Sequence, residues 1–393
     1  MYFSLGLIML SGLVMGQICK KIKLPPLFGM IIAGIVIGPY VLNLIDKSVL
    51  DISSQLRKIA LIIILSRAGL SLNIADLKKV GRPAVLMCFV PACFEILGMA
   101  LLAPKFLGIS LPEALVMGAV VGAVSPAVIV PKMIKLMEDK WGTKKSIPQM
   151  ILAGASVDDV FVIVMFYSFT HLVQTNDFSA VSFVKIPVSI LTGIAAGAII
   201  GCMLGRLFKK ANMRTTVQLI ILISVSFMLV AFEDKFSNSV PFSALISVMC
   251  IGIAAKKTAP ETAAALSAQY SKLWIGAEIM LFVLVGAAVN INYALKAGMG
   301  VILLIPCVLV FRMAGVFICM TKTGLNMKER LFCMIAYMPK ATVQAAIGGI
   351  PLAMGLACGE IVLTVAVVSI LLTAPLGAFL IDLTHKRLLE RES

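Results

Sequence analysis

Residues 148–173 read PQMILAGASVDDVFVIVMFYSFTHLV, and the reading of this stretch decides the fold. It is a long apolar helix with two adjacent acids, Asp158 and Asp159, about ten residues from its basic end. At ~1.5 Å rise per residue that is roughly 15 Å, the midplane of a ~30 Å hydrocarbon core. A carboxylate at that depth is expensive and needs a reason. Two in a row point to a site for a proton and a small cation. Consecutive helix residues are ~100° apart, so the two side chains face different directions. One can look toward an ion pathway while its neighbour looks toward a basic group. Buried neighbours of this kind titrate jointly, and a proton and Na⁺ compete for the same hard oxygens.

The 393-residue chain is 60% hydrophobic and only 13% charged, which excludes an ordinary soluble core. Apolar runs recur from end to end and predict an all-α polytopic membrane protein. About thirteen spans are expected, at 1–19, 26–45, 56–73, 83–103, 111–136, 148–174, 184–207, 215–233, 240–255, 272–290, 297–321, 329–353 and 358–382. The first run lacks basic residues ahead of its apolar stretch and has no clear small-residue cleavage site, so it reads as a span and not as a leader. The nine cysteines are scattered without CxxC spacing, and His171 and His385 lie far apart. They predict packing and helix-end residues, with no cofactor, no metal cluster and no enzyme.

Basic residues orient the chain. Of 34 Lys and Arg, 24 fall on the connections after odd-numbered spans and on the tail, and seven fall on the opposite side. The positive-inside rule then puts the N-terminus outside and the C-terminus in the cytoplasm of a plasma (inner) membrane. This accounts for the net charge of +15 without nucleic acid, and it favours anionic lipids at the cytoplasmic face. Three basic residues remain inside spans: Arg67, Arg312 and Lys340. Arg67 reads as a snorkelling residue near the end of its span, and Glu278 as an interfacial acid.

An odd span count suggests an inverted repeat, 1–174 against 215–382, with 184–207 as the linker helix. The counterparts match in kind. The fifth span is interrupted at GAVSPAVIVP, with Ser125, Pro126 and Pro131; the twelfth at YMPKATVQAAIGGIP, with Pro339 and Pro351. Proline removes an N–H and disfavours helix in the residue before it. Paired broken helices point to a transporter's binding site. The fourth span carries Glu95 and its counterpart carries Arg312, which predicts a buried ion pair; a pairing of Arg312 with Asp158 is the rival reading. Lys340 beside the second break suits the negative carbonyl ends of half-helices. Ser125 and freed carbonyls can offer oxygens to a cation, and Gln344 can hydrogen-bond the unwound backbone.

With GAVSPAVIVP, AGASVDD, the Arg312 span and MPKATVQAAIGG on the page, the chain resembles the monovalent cation/proton antiporter superfamily, and within its two-aspartate branch it is most similar to the NHA subgroup of sodium/proton exchangers. The likeness covers nearly the whole chain. It implies a homodimer, with residues 83–174 and 297–382 as a moving core and 1–73 with 215–290 as a dimerisation scaffold. The family's ion-binding aspartate falls on Asp159, with Asp158 as its partner. Many two-aspartate members carry lysine where this chain has Arg312. Arginine stays protonated, which argues against a lysine-based proton carrier and leaves the stoichiometry open. Potassium-efflux relatives often add a nucleotide-binding domain; none is expected here.

These readings converge on a secondary transporter that exchanges Na⁺ or Li⁺ for H⁺ by alternating access. A K⁺/H⁺ antiporter of the same fold is the nearest alternative. A sodium-coupled organic-anion symporter fits less well, because adjacent midplane acids repel an anion. A cation channel is a further alternative.

Overall fold

The computed structural model describes residues 1–71, 81–175, 180–211, 213–236 and 240–392. Helices dominate: α1 (Tyr2–Lys21), α2 (Pro26–Ile37), α3 (Lys47–Asp51), α4 (Ser53–Ser71), α5 (Arg82–Met87), α6 (Val90–Leu107), α7 (Leu111–Val121), α8 (Pro126–Glu138), α9 (Ile147–Thr175), α10 (Ala180–Lys210), α11 (Thr215–Phe236), α12 (Ala244–Thr258), α13 (Pro260–Ala287), α14 (Ile291–Cys319), α15 (Met327–Ala336), α16 (Thr342–Ile347), α17 (Ile350–Ala353) and α18 (Gly359–Leu388). A hydrocarbon solvent leaves little choice, since each backbone polar group must be satisfied internally. Local signals set the ends. Pro26 and Pro126 open α2 and α8 at positions where an N–H would be orphaned anyway. Reciprocal bonds between Asn326 and Glu329 cap α15 at 2.8 and 2.9 Å.

Nine helical stretches among the described residues are long and apolar enough to cross a membrane. Each of the thirteen expected spans meets helix, but four fall short of that measure. Residues Pro26–Ile37 form a short apolar helix that ends at Gly38. The third expected span falls on α4, which carries Arg57, Lys58 and Arg67. The ninth is the 15-residue α12, and the twelfth is divided among α15, α16 and α17. Among the described residues, thirteen full-length spans are therefore not confirmed. The end of the third span and the pair Lys78–Lys79 lie outside the described residues, as do the side chains of Lys185 and Lys296.

Contacts divide the chain into two units, Met1–Ser54 with Asn73–Gln174 and Ile279–Ser393, and Gln55–Leu72 with Thr175–Glu278. Within the first, α6 runs against α14, and α15 against α18. Backbone proximity makes Gly315 necessary there, since a Cβ on it would sit 2.9 Å from Pro91 Cα. An apolar cluster including Met87, Ile129, Met133, Ile151, Phe332 and Tyr337 packs beside the breaks. The end of the chain also belongs to this unit. Glu390 and Glu392 pair with the α8–α9 connection, as Gly142 N–H donates to Glu390 O at 2.8 Å and Glu392 N–H to Lys140 O at 2.9 Å. The Arg391 guanidinium lies over the Trp141 ring, 5.9 Å from its centroid.

In the second unit α10 lies along α12. Gly193, Gly197, Gly201 and Gly205 recur every fourth residue on α10 and line the face against α12. Small residues at this spacing let membrane helices approach to backbone contact. A Cβ on Gly197 would stand 2.7 Å from Cys250 Cβ and 2.9 Å from Ser247 Cα. Gly197→Val is therefore expected to cost about 1–3 kcal/mol through overpacking, read as a lowered melting temperature in detergent. Gly6→Val, where nothing lies within 4 Å, should leave the melt unchanged. Equal melts for both variants would remove this account of the α10–α12 contact.

Candidate functional site

Two interruptions make the site. Helix stops at Val121 and restarts at Pro126, and it stops at Ala336 and restarts at Thr342. Pro126 opens α8, and Ser125 before it is extended, with φ −90° and ψ 110°. Pro131 lies inside α8, which continues through it, so the first break spans residues 122–125. The two breaks meet directly: Ser125 N–H donates to Pro339 O at 2.8 Å.

A helix that stops inside a bundle leaves carbonyls that need donors. Those of the first break are met by side chains from the second half of the chain. Val121 O accepts from Lys340 Nζ at 2.5 Å and from Gln344 Nε2 at 3.3 Å. Gly122 O accepts from Arg312 Nη1. Ala123 O accepts from Gln344 Nε2 at 2.6 Å. Gln344 turns its own carbonyl to Ala341 N–H at 2.9 Å, inside the second break. Lys340 N–H is held by Thr373 Oγ1 of α18 at 3.0 Å.

The buried charges form a chain. Arg312 Nη1 donates to Glu95 Oε2 at 2.7 Å and Nη2 to Asp158 Oδ2 at 3.0 Å. The two sequence readings of Arg312 are thus not rivals; one guanidinium makes both pairs. Its Nε–H donates to Tyr337 O at 2.8 Å, and its Cζ lies 5.4 Å from the Tyr337 ring centroid. Glu95 Oε1 in turn meets Lys340 Nζ at 2.6 Å. The order is Asp158–Arg312–Glu95–Lys340, and each member is at most 1% exposed. Two acids and two bases cancel.

Asp159 stands outside this chain. It is half-buried, and its buried Oδ1 has no hydrogen-bond partner among the described residues. Asp158 Oδ2 also accepts Val124 N–H at 2.8 Å, while its Oδ1 and the Ser125 hydroxyl have no partner there. These oxygens are hard ligands of the kind alkali cations prefer. No cluster of three His, Cys, Asp or Glu exists among the described residues. Arg67 and Glu278 lie half-buried on α4 and α13, in the second unit. Sequence reading missed Tyr337 and Thr373. Tyr337 was visible as the first residue of YMPKATV, but nothing in that motif says that its carbonyl would meet an arginine.

A family model described as "Sodium/hydrogen exchanger, transmembrane" matches residues 6–384. Sodium/hydrogen exchanger 9B2 of Mus musculus is 32% identical over 382 residues, covering 94% of this chain and 69% of that protein. Sodium/hydrogen exchanger 9B2 of Homo sapiens is 30% identical over 410 residues, covering 99% and 75%. The fold is shared with the sodium proton antiporter MjNhaP1 from Methanocaldococcus jannaschii at pH 8, at a TM-score of 0.86 and 19% identity over 98% of this chain and 97% of that one.

The pairing order fixes which losses compensate. Glu95→Gln alone strands Lys340, and Arg312→Gln alone strands Asp158. Each single change should cost about 3–5 kcal/mol. The neutral doubles Glu95→Gln/Lys340→Gln and Asp158→Asn/Arg312→Gln should each melt above the worse of their singles. Strict additivity in detergent melts would dissolve the proposed order.

Proposed function

The chain belongs to the sodium/hydrogen exchanger family, and from that premise we propose that Asp159 carries the exchanged ion while the charges around it hold the site together. The protein is an integral membrane antiporter that exchanges Na⁺ for H⁺. One observation carries the assignment to Asp159: the four buried charges beside it cancel, so its carboxylate alone is unbalanced, and its buried Oδ1 is unused. Either a proton or one Na⁺ cancels that charge. Both loaded forms are neutral and suited to cross a low-dielectric barrier, whereas the empty ionised form is not.

In this reading Asp158 assists through its free Oδ1, and Ser125 with the carbonyls of the breaks supplies further oxygens. Glu95 and Arg312 hold α6 and α14 together. Lys340, with Gln344, neutralises the carbonyl end left by α7. Pro126 and Pro339 make the breaks, and Pro131 shapes α8. Residues 83–174 with 297–382 move as the core against 1–73 with 215–290, in a homodimer. The basic ends face the cytoplasm of the plasma (inner) membrane and its anionic lipids, with the N-terminus outside. The ions are cargo, and no cofactor takes part.

Transport in proteoliposomes tests the assignment. Asp159→Asn should abolish Na⁺-driven proton movement in a protein that still folds, because an amide cannot exchange a charge; full activity would rule Asp159 out. Asp158→Asn should cripple transport and leave residual cation binding.

Competition gives a second test in the wild-type protein. Below the site pKa, each unit fall in pH should raise the apparent KM for Na⁺ about tenfold, since one more decade of protons competes for one carboxylate. Above that pKa the KM should level off. A KM flat from pH 6 to 9 would sink the shared site. One-for-one exchange further predicts no response to clamping the membrane potential; strong potential dependence would point to a second proton, on Asp158. Faster exchange with K⁺ than with Na⁺ or Li⁺ would reassign the cargo and keep the site.

A further inference from the structure

At the basic end of the first unit, a helix start and two connections border a cavity of about 380 Å³. The helix start is that of α5, at Pro83, and the connections are the turn before α9 and the link from α14 to α15. The floor is apolar, from Pro83, Met150 and Leu325, and the rim carries Lys144, Lys145 and Ser146.

Local backbone builds that rim. Gly142 and Ser146 both take left-handed conformations, with φ 69° and 53°, and bracket a single 3₁₀ turn, Thr143–Lys145. Both lysines of the turn line the cavity. Glycine takes such a φ freely, but Ser146 holds it at a cost of order 1 kcal/mol, a strain that collects at ligand clamps. Lys145 Nζ is fixed at 2.8 Å from Glu329 Oε2. Glu329 is buried and occupied, since the same oxygen caps α15 through Asn326 N–H. The Glu329 hydrogen bond holds the Lys145 ammonium above its ordinary pKa, so it stays charged.

Of the remaining groups, Lys144, Ser146 and Arg82 keep unused donors. Lys144 is exposed and makes no ion pair or hydrogen bond among the described residues, and neither does the Ser146 hydroxyl. Arg82, next to Pro83, uses Nη1 on Thr321 O at 3.0 Å, which leaves donors on the guanidinium. The Thr323 hydroxyl gives its proton to Met320 O at 2.6 Å and adds no donor.

A planar carboxylate is best matched by an arginine fork, whereas two point-charge ammoniums and a hydroxyl suit an anion with oxygens in several directions. The volume lies in the range of small-ligand pockets, roughly 300–1,000 Å³. Basic pockets between membrane helices at the cytoplasmic side take phosphate-bearing lipid headgroups. We propose that this cavity binds a phosphate group at Lys144, Lys145 and Ser146, carried by a lipid headgroup or by a small soluble phosphate ester. Phosphate binding does not depend on the exchange reaction; only the lipid source rests on the orientation given above. An occupant bridges the start of α5, which leads to Glu95, the turn before α9, the helix that carries Asp158 and Asp159, and the link into α15, which leads to Lys340.

The test uses the full chain, purified in a neutral detergent without phosphate. Inorganic phosphate, inositol trisphosphate, dioctanoyl phosphatidylinositol 4-phosphate and dioctanoyl phosphatidylcholine are titrated at constant ionic strength, and thermal shift and Kd are read. At least one phosphate monoester probe should stabilise the wild type well beyond phosphatidylcholine. Lys144→Gln/Ser146→Ala should weaken that binding about tenfold or more, with an unchanged melt in the absence of probe. Lys144→Arg should retain binding, and Lys209→Gln, in the second unit, should bind as wild type. Binding by the soluble probes equal to that of the lipid identifies a free phosphate ester; binding by the lipid alone identifies a headgroup. No shift with any phosphate probe, or full binding by the double variant, overturns the proposal.

Discussion

Everything near the midplane depends on the valence of one side chain. Arg312 has a rigid fork of N–H donors and cannot lose its charge. Buried at 1% exposure, it must find acceptors in several directions at once. It finds two carboxylates and two carbonyls, on Glu95, Asp158, Gly122 and Tyr337. Those groups come from α6, α9 and both breaks. A single guanidinium therefore sets the mutual positions of the elements that build the site. Lysine, with three donors on a flexible stem, could not hold four fixed acceptors in this way.

The breaks follow from the same accounting. Interrupting α7–α8 and α15–α16 frees carbonyls in a place without bulk water, which ordinarily costs several kcal/mol per group. Here Arg312, Lys340 and Gln344 supply the donors, so the irregular backbone is stable only where cations are buried, and the cations are tolerable only where the backbone is irregular. The two defects compensate each other. What they leave over is a single acid, Asp159, on the helix next to the crossing. In the proposed reading that remainder carries the exchanged ion.

Much of this was legible in the sequence because burying charge in lipid is so costly that it needs company. Asp158-Asp159, Arg312 and Lys340 stand out against an apolar background, and the prolines mark both interruptions. The rest was not legible. Whether Arg312 took Glu95 or Asp158 is a matter of ångströms across 217 or 154 residues, and sequence spacing carries no such distances. Pro131 looked like part of the break, yet α8 runs through it, since membrane helices absorb an internal proline when neighbours re-satisfy the freed carbonyl. The Gly193–Gly205 stripe was in plain view and was passed over, because glycine at four-residue spacing announces a close approach without naming the partner. Span length was less legible where the apolar stretch is cut short by arginines, by Gly38 or by the break itself.

The order of the partners along the chain has a consequence for synthesis. Glu95 and Asp158 emerge long before Arg312, which follows them by 217 and 154 residues, and Lys340 is later still. At about 5–20 residues per second, translation takes roughly 10–40 s to deliver the arginine. Throughout that interval Glu95 on α6 and Asp158 on α9 lack the guanidinium that they share in the finished fold. The guanidinium that joins α6, α9 and both breaks thus makes assembly a matter of timing, and a ribosome stalled before Arg312 leaves Glu95 and Asp158 without that partner.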